Sequence, residues 1–333
     1  MTNPHRSGPR RSALHRSAPH RSTPGRSVPA RSYLLPVLCV LLLLGVSGCA
    51  GQDRGRPRVV VTTNILGDIT RNIVGDEAEV TVLMRPHADP HSFGISAPQA
   101  ASIERADLVV YNGLGLEENV LRPVEAARAA GVATLAVAEG VDPLGYGSGE
   151  SADTLDPHFW TDPERVAKAV DLIAGQVVEQ VAGVDAAAIG RNAAEYSAKI
   201  DELTGWMREE FDRIPPEKRR LVTNHHVFGY LAQRFGFRIV GAVIPSGTTL
   251  ASPSASDLKS LADAIEKAGV RAVFADASQP DRLAQVLGRE SGIDVEIVPL
   301  FSESLTAEGE GAATYLEMMR ANTASITAGL STA

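Results

Sequence analysis

Eight histidines occur in the 333-residue chain, and the five that follow residue 48 fall in three short segments: His87 and His91, His158, and the adjacent pair His225 and His226. Imidazole is the commonest nitrogen ligand for zinc and other borderline metal ions. Twice the histidine closes an Asp-Pro-His triplet, at Asp89-Pro90-His91 and at Asp156-Pro157-His158. A scatter of surface histidines would not repeat such a context, so the pattern reads as one folded metal site. The carboxylate that best completes it is Asp276, at the end of the apolar run Val270-Arg271-Ala272-Val273-Phe274-Ala275. Three imidazoles and one carboxylate form a tetrahedral donor set suited to zinc.

The individual members carry less weight than the set. Of His225 and His226 only one need coordinate, while the other packs or donates a hydrogen bond to a ligand. His87 reads as a loop residue, an accessory partner or a first contact for the metal. Asp276 has the alternative role of capping the helix that follows.

The elements that must position these residues alternate between strands and helices. Strands are expected over 58–62, 79–83, 107–111 and 133–137, with helices over 65–74, 97–105 and 117–130. The alternation returns after residue 218, with strands at 221–223, 238–243, 271–275 and 295–298. Helices are expected there over 227–235, 254–268, 281–290 and 312–328, with Asn224 available as an N-cap and Gly269 as a helix stop. Such a pattern implies mainly parallel sheets flanked by helices. The fold expected is therefore α/β, with two similar lobes, 58–184 and 218–333.

Between the lobes, Ile189, Ala193, Tyr196, Ile200, Leu203, Met207 and Phe211 recur at steps of three and four. That is one apolar face of a helix, expected over 185–213 and about 40 Å long at 1.5 Å per residue. It reads as a rigid connector of the lobes, or else as a surface helix of one of them. Loops after parallel strands gather at one sheet edge, where ligands bind. His91, His225 and Asp276 follow strands, and His158 ends the long loop leaving the first lobe, just before the N-cap pair Asp162-Pro163. Two ligands from each lobe would then face one cleft.

Other chemistries find little support. No His-Glu-x-x-His helix, Gly-x-Ser-x-Gly elbow or phosphate loop occurs, and Gly113-Leu114-Gly115 is too short for a nucleotide fingerprint. Four protein ligands leave no open position for a water nucleophile, so the chain does not read as an enzyme.

The first 32 residues are rich in arginine and serine, and an apolar run of about fourteen residues follows from Tyr33 to Val46. That run is too short to span a bilayer comfortably, and the layout is that of a secretory signal. Its end, Val46-Ser47-Gly48-Cys49, resembles the bacterial lipoprotein cleavage box. The resemblance implies removal of 1–48, lipid on Cys49 and a tether over 49–57; the alternative is an uncut signal anchor. Cleavage removes Cys39, so no internal disulfide remains. It also removes seven arginines and no acidic residue, leaving 25 basic against 40 acidic residues and a formal charge of about −15. Such a surface repels nucleic acid and is compatible with attracting cations.

Four stretches carry a wider resemblance: Ala88-Asp89-Pro90-His91-Ser92-Phe93, residues 105–117 (Arg-Ala-Asp-Leu-Val-Val-Tyr-Asn-Gly-Leu-Gly-Leu-Glu), Asp156-Pro157-His158-Phe159-Trp160, and residues 223–230 (Thr-Asn-His-His-Val-Phe-Gly-Tyr). Here the chain resembles the zinc/manganese solute-binding proteins of bacterial ABC uptake systems, from about Val59 to the C-terminus. The resemblance implies two lobes on a backbone helix and one metal ion between them, with His91, His158, His225 and Asp276 as ligands. Histidine at the third position resembles the zinc branch, so Zn2+ is the expected ion and Mn2+ the alternative. A membrane permease is the expected partner and a zinc metallochaperone a further one, with a monomer tethered outside the cytoplasmic membrane or in a periplasm. A metal-dependent surface adhesin is the alternative of another class. The chain departs from the zinc branch in its short loop over 139–155, which has no histidine, and in having His226 where an acidic or amide residue is usual.

Overall fold

The computed structural model describes residues 55–146, 154–244, 246–278, 285 and 295–331. The expected leader 1–48, the lipidation site Cys49 and most of the helix expected over 281–290 lie outside these residues. Gly55–Ala333 forms one compact unit.

The first sheet has strands β1 (Arg58–Val61), β2 (Glu79–Val82), β3 (Leu108–Tyr111) and β4 (Ala133–Ala136), all parallel in the order β2-β1-β3-β4. The second has β5 (Arg220–Thr223), β6 (Arg238–Ala242), β7 (Ala272–Asp276) and β8 (Glu296–Leu300), parallel in the equivalent order β6-β5-β7-β8. Val59, Val60 and Val61 are all buried, as a strand covered on both faces requires. Each sheet reverses its winding beside its first strand, which opens a crevice at the carboxyl ends of the strands there.

Helices cover the first sheet: α1 (Asn64–Val74), α2 (Ala97–Glu104), α3 (Glu118–Ala129) and α4 (Pro163–Gln180). Helix α1 starts where the Thr63 hydroxyl accepts the Leu66 N–H, and it buries Ile65, Leu66, Ile69 and Ile73 on one face. Helix α4 starts at Asp162, whose carboxylate accepts the Glu164 N–H, with Pro163 at the first position. Helix α5 (Ala186–Asp212) is capped by Asp185 and buries Ile189, Ala193, Tyr196, Ile200, Leu203, Met207 and Phe211. These side chains join residues of both sheets in one apolar core. Among the described residues, helices α6 (Gly229–Phe235), α7 (Ala255–Ala268) and α8 (Tyr315–Ser331) belong to the second lobe.

Two local expectations change. Helix α6 begins at Gly229 rather than 227, with Phe228 at its N-cap position instead of Asn224. His225 and His226 therefore stand on the loop after β5, not on a helix. The C-terminal helix runs Tyr315–Ser331, later than 312–328.

Candidate metal centre

Four buried side chains converge where the lobes meet. Nitrogens of His91, His158 and His225 and a carboxylate oxygen of Glu303 all lie within 4.8 Å of one another. His91 follows β2, His158 closes the loop from β4, His225 follows β5 and Glu303 follows β8. His158 and His225 are fully buried, and His91 and Glu303 are each 1% exposed.

Separations within the group bracket those around a tetrahedral ion, every pair lying within 4.8 Å. Four donors at about 2.0–2.1 Å from a zinc ion stand about 3.3 Å apart. Here His158 Nε2 is 3.3 Å from His91 Nε2 and 3.6 Å from Glu303 Oε1. His91 Nε2 is 3.7 Å from Glu303 Oε2, and His225 Nε2 is 2.8 Å from Glu303 Oε1. That last pair is close enough to hydrogen-bond but not aligned for it, and both Glu303 oxygens and His225 Nε2 lack a hydrogen-bond partner. Buried polar atoms are rarely left so. A group of them facing one point is what a cation would satisfy.

Burial sets the protonation of the site. It lowers the His91 pKa to about 2, with help from His158 and His225. It lowers that of His225 to about 4, against the opposing pull of Asp276, Asp89 and Asp156. Burial raises the Glu303 pKa to about 8, His158 opposing the rise. Near neutral pH the empty site thus holds neutral His91 and His225 and a protonated Glu303.

The two Asp-Pro-His triplets share one local device. Asp89 Oδ1 accepts the His91 N–H at 2.9 Å, and Asp156 Oδ1 accepts the His158 N–H at 2.9 Å. Each carboxylate pins the backbone of the histidine two residues on, as Asx turns do. Asp156 Oδ1 also lies 2.7 Å from His158 Nδ1. Asp89 reaches the second lobe instead, accepting the Thr249 hydroxyl at 2.6 Å.

The carboxylate expected at Asp276 is supplied by Glu303. Asp276 ends β7 nearby, but Ser278 donates to its Oδ1 and Ser302 to its Oδ2, each through both backbone N–H and hydroxyl. Its oxygens are committed to holding the chain. Glu303 was open to the same reasoning, since Leu300-Phe301-Ser302-Glu303 leaves the carboxyl end of β8 as His225 leaves that of β5. The expectation stopped one strand short.

The other two histidines among the described residues, His226 and His87, lie outside the group. His226 has its backbone N–H on Ser246 O and its ring 6.3 Å from that of Tyr146. It lines a cavity of about 400 Å3 with Tyr146, Asp156, Phe228 and Gln233. Burial lowers its pKa. His87 is half exposed, pairs with Glu310 and has a left-handed backbone, φ 60°.

The family sequence profile described as "Zinc-uptake complex component A, periplasmic" matches residues 59–329. The chain belongs to this family. It is 31% identical over 298 residues to the manganese-binding lipoprotein MntA of Bacillus subtilis, covering 86% of this chain and 95% of that one. It is 30% identical over 302 residues to the zinc-binding protein TroA of Treponema pallidum, covering 88% and 96%. The solved periplasmic zinc-binding protein TroA from Treponema pallidum superposes with a TM-score of 0.76 at 29% identity, covering 83% of this chain and 99% of that one. The two-lobed parallel α/β architecture is thus shared with a relative of known structure. The family consists of solute-binding components of importers and not of enzymes.

Proposed function

We propose that this chain is an extracytoplasmic zinc receptor that captures Zn2+ and hands it to an ABC importer. The observation that carries the reading is the buried His91–His158–His225–Glu303 group, in which His225 Nε2 and both Glu303 oxygens lack hydrogen-bond partners. The four would ligate one ion per chain, His91 and His158 from the first lobe and His225 and Glu303 from the second. A closed, four-donor set suits a carrier, because it offers no open position at which a bound water could attack a substrate.

Zinc is favoured over manganese by the donors. Three imidazoles and one carboxylate suit a borderline ion, whereas Mn2+ is better served by oxygen-rich octahedral sites. Manganese is the second reading, supported by the manganese-binding name of the MntA relative. Relatives named as lipoproteins support a tether at Cys49, and among the described residues no helix is long and apolar enough to cross a membrane.

Deleting the gene should impair growth under zinc chelation, and added zinc should restore it. Normal growth of the deletion strain without zinc, or rescue by manganese alone, would contradict the reading.

A further inference from the structure

Residues 246–250, in the loop that leaves β6 of the second lobe, touch the surroundings of all three histidines of the group. Beside His225, Ser246 O accepts the His226 N–H at 3.1 Å. Beside His158, Gly247 packs on Tyr146 so closely that a Cβ there would overlap its ring. The Tyr146 hydroxyl donates to Gly247 O at 3.5 Å and stands 3.4 Å from His158 Nδ1. Beside His91, the Thr249 hydroxyl donates to Asp89 Oδ2 at 2.6 Å, while Asp89 Oδ1 accepts the His91 N–H. Yet the segment is thinly anchored. Among the described residues no apolar cluster takes in any of these five, and Leu250 is 51% exposed. The wall around Glu303 differs, since Trp160, Leu300 and Leu305 all belong to the main core.

We propose that residues 246–250 form the strap that opens for the metal, and that Thr249 is the positioning residue that holds it shut through Asp89. The inference rests on the zinc-receptor reading above. The four donor residues are at most 1% exposed, so an ion reaches them only when some element moves. A segment with little buried apolar surface opens at lower free energy than one set in the core. Asp89 joins the two tasks, because one oxygen fixes the backbone of His91 and the other holds the strap. Ser92 Oγ, from within the first lobe, also donates to Asp89 Oδ2, at 3.1 Å. The carboxylate therefore keeps a partner when the strap lifts, which makes lifting less costly.

Stopped-flow measurement of zinc release into excess chelator, with zinc uptake followed separately, tests this on the wild type, Thr249→Val, Thr249→Ser and Ser92→Ala. Thr249→Val keeps the shape and loses the hydroxyl, so release should quicken about tenfold, the order of one hydrogen bond to a charged group. Uptake should not slow, because a strap that lifts more readily admits the ion as well as freeing it. Thr249→Ser restores the donor and should restore the wild-type release rate. Ser92→Ala removes the other donor to the same oxygen and leaves the strap bond, so release should quicken far less than in Thr249→Val. Unchanged release in Thr249→Val overturns the proposal. So does equal quickening in Ser92→Ala, which would mean that Asp89 acts on His91 alone, and so does slowed uptake in Thr249→Val. If Thr249→Val does not fold, Thr249→Ala decides. Failure of the wild type to bind zinc would instead sink the receptor reading, which keeps the two outcomes apart.

Discussion

Asp156 Oδ1 stands 2.7 Å from His158 Nδ1 while His158 Nε2 faces His91 and Glu303. The contact assigns the two ring nitrogens: Nδ1–H donates to the carboxylate, and the Nε2 lone pair is left for a metal. Nδ1 of His91 and of His225 has no such partner. Asp156→Ala should therefore lower zinc affinity by about 10–100-fold, the range for losing a carboxylate behind a ligating histidine. Titration calorimetry checks this, and a change below about twofold would mean that the contact does not orient the ligand.

The adjacent histidines should separate cleanly. His225→Ala removes a donor from the group and should abolish stoichiometric zinc binding, as should Glu303→Ala. His226→Ala should leave one zinc per chain, since its ring is outside the group, beside Tyr146. Metal analysis after gel filtration reads the result, and loss of zinc from the His226 variant would reverse the assignment.

Zinc binding should release a proton from Glu303. With its pKa raised to about 8 by burial, this carboxyl is protonated in the empty site below that pH and must ionise to ligate. Protons compete with metal as pH falls below 8, so affinity should drop by about tenfold per pH unit there. His91 and His225, with pKa values lowered to about 2 and about 4, add no competition near neutrality. Calorimetry in buffers of different ionisation enthalpy counts the protons released. Release of no proton at pH 7 would contradict this.

The second lobe is locked onto the first through Asp162. This carboxylate is 1% exposed and accepts Arg234 Nε at 2.9 Å and Nη2 at 3.0 Å, with Arg165 Nη1 at 2.8 Å. Asp162→Ala takes the buried carboxylate from both guanidinium groups, leaving Arg234 only Glu164 at 2.7 Å, and removes the cap of α4. A loss of about 3 kcal/mol is expected on urea unfolding. A loss under about 1 kcal/mol would place the pair among exposed ion pairs of little consequence.

Much of the site was legible because the chemistry is carried by rare residues in repeated contexts. Asp-Pro-His appears twice, and both aspartates turn out to hold the backbone of the histidine they precede. The long helix was legible from the spacing of Ile189 through Phe211, a one-dimensional signal of a buried face. Glu303 was hidden because acidic residues are abundant, and its neighbours Ser302 and Ser304 give no sign of burial. What distinguishes it from Asp276 is whether its oxygens are already engaged, and that depends on Ser278 and Ser302 reaching Asp276 in space. The choice between His225 and His226 was likewise decided by the direction of a loop, not by residue type.

Crystals grown with equal Zn2+ and Mn2+ would test the account at its centre, with anomalous data collected on both sides of each metal's absorption edge. The account predicts one zinc peak among His91 Nε2, His158 Nε2, His225 Nε2 and Glu303, and no manganese peak there. A manganese peak at that point, or zinc bound instead by Asp276 or His226, would contradict it.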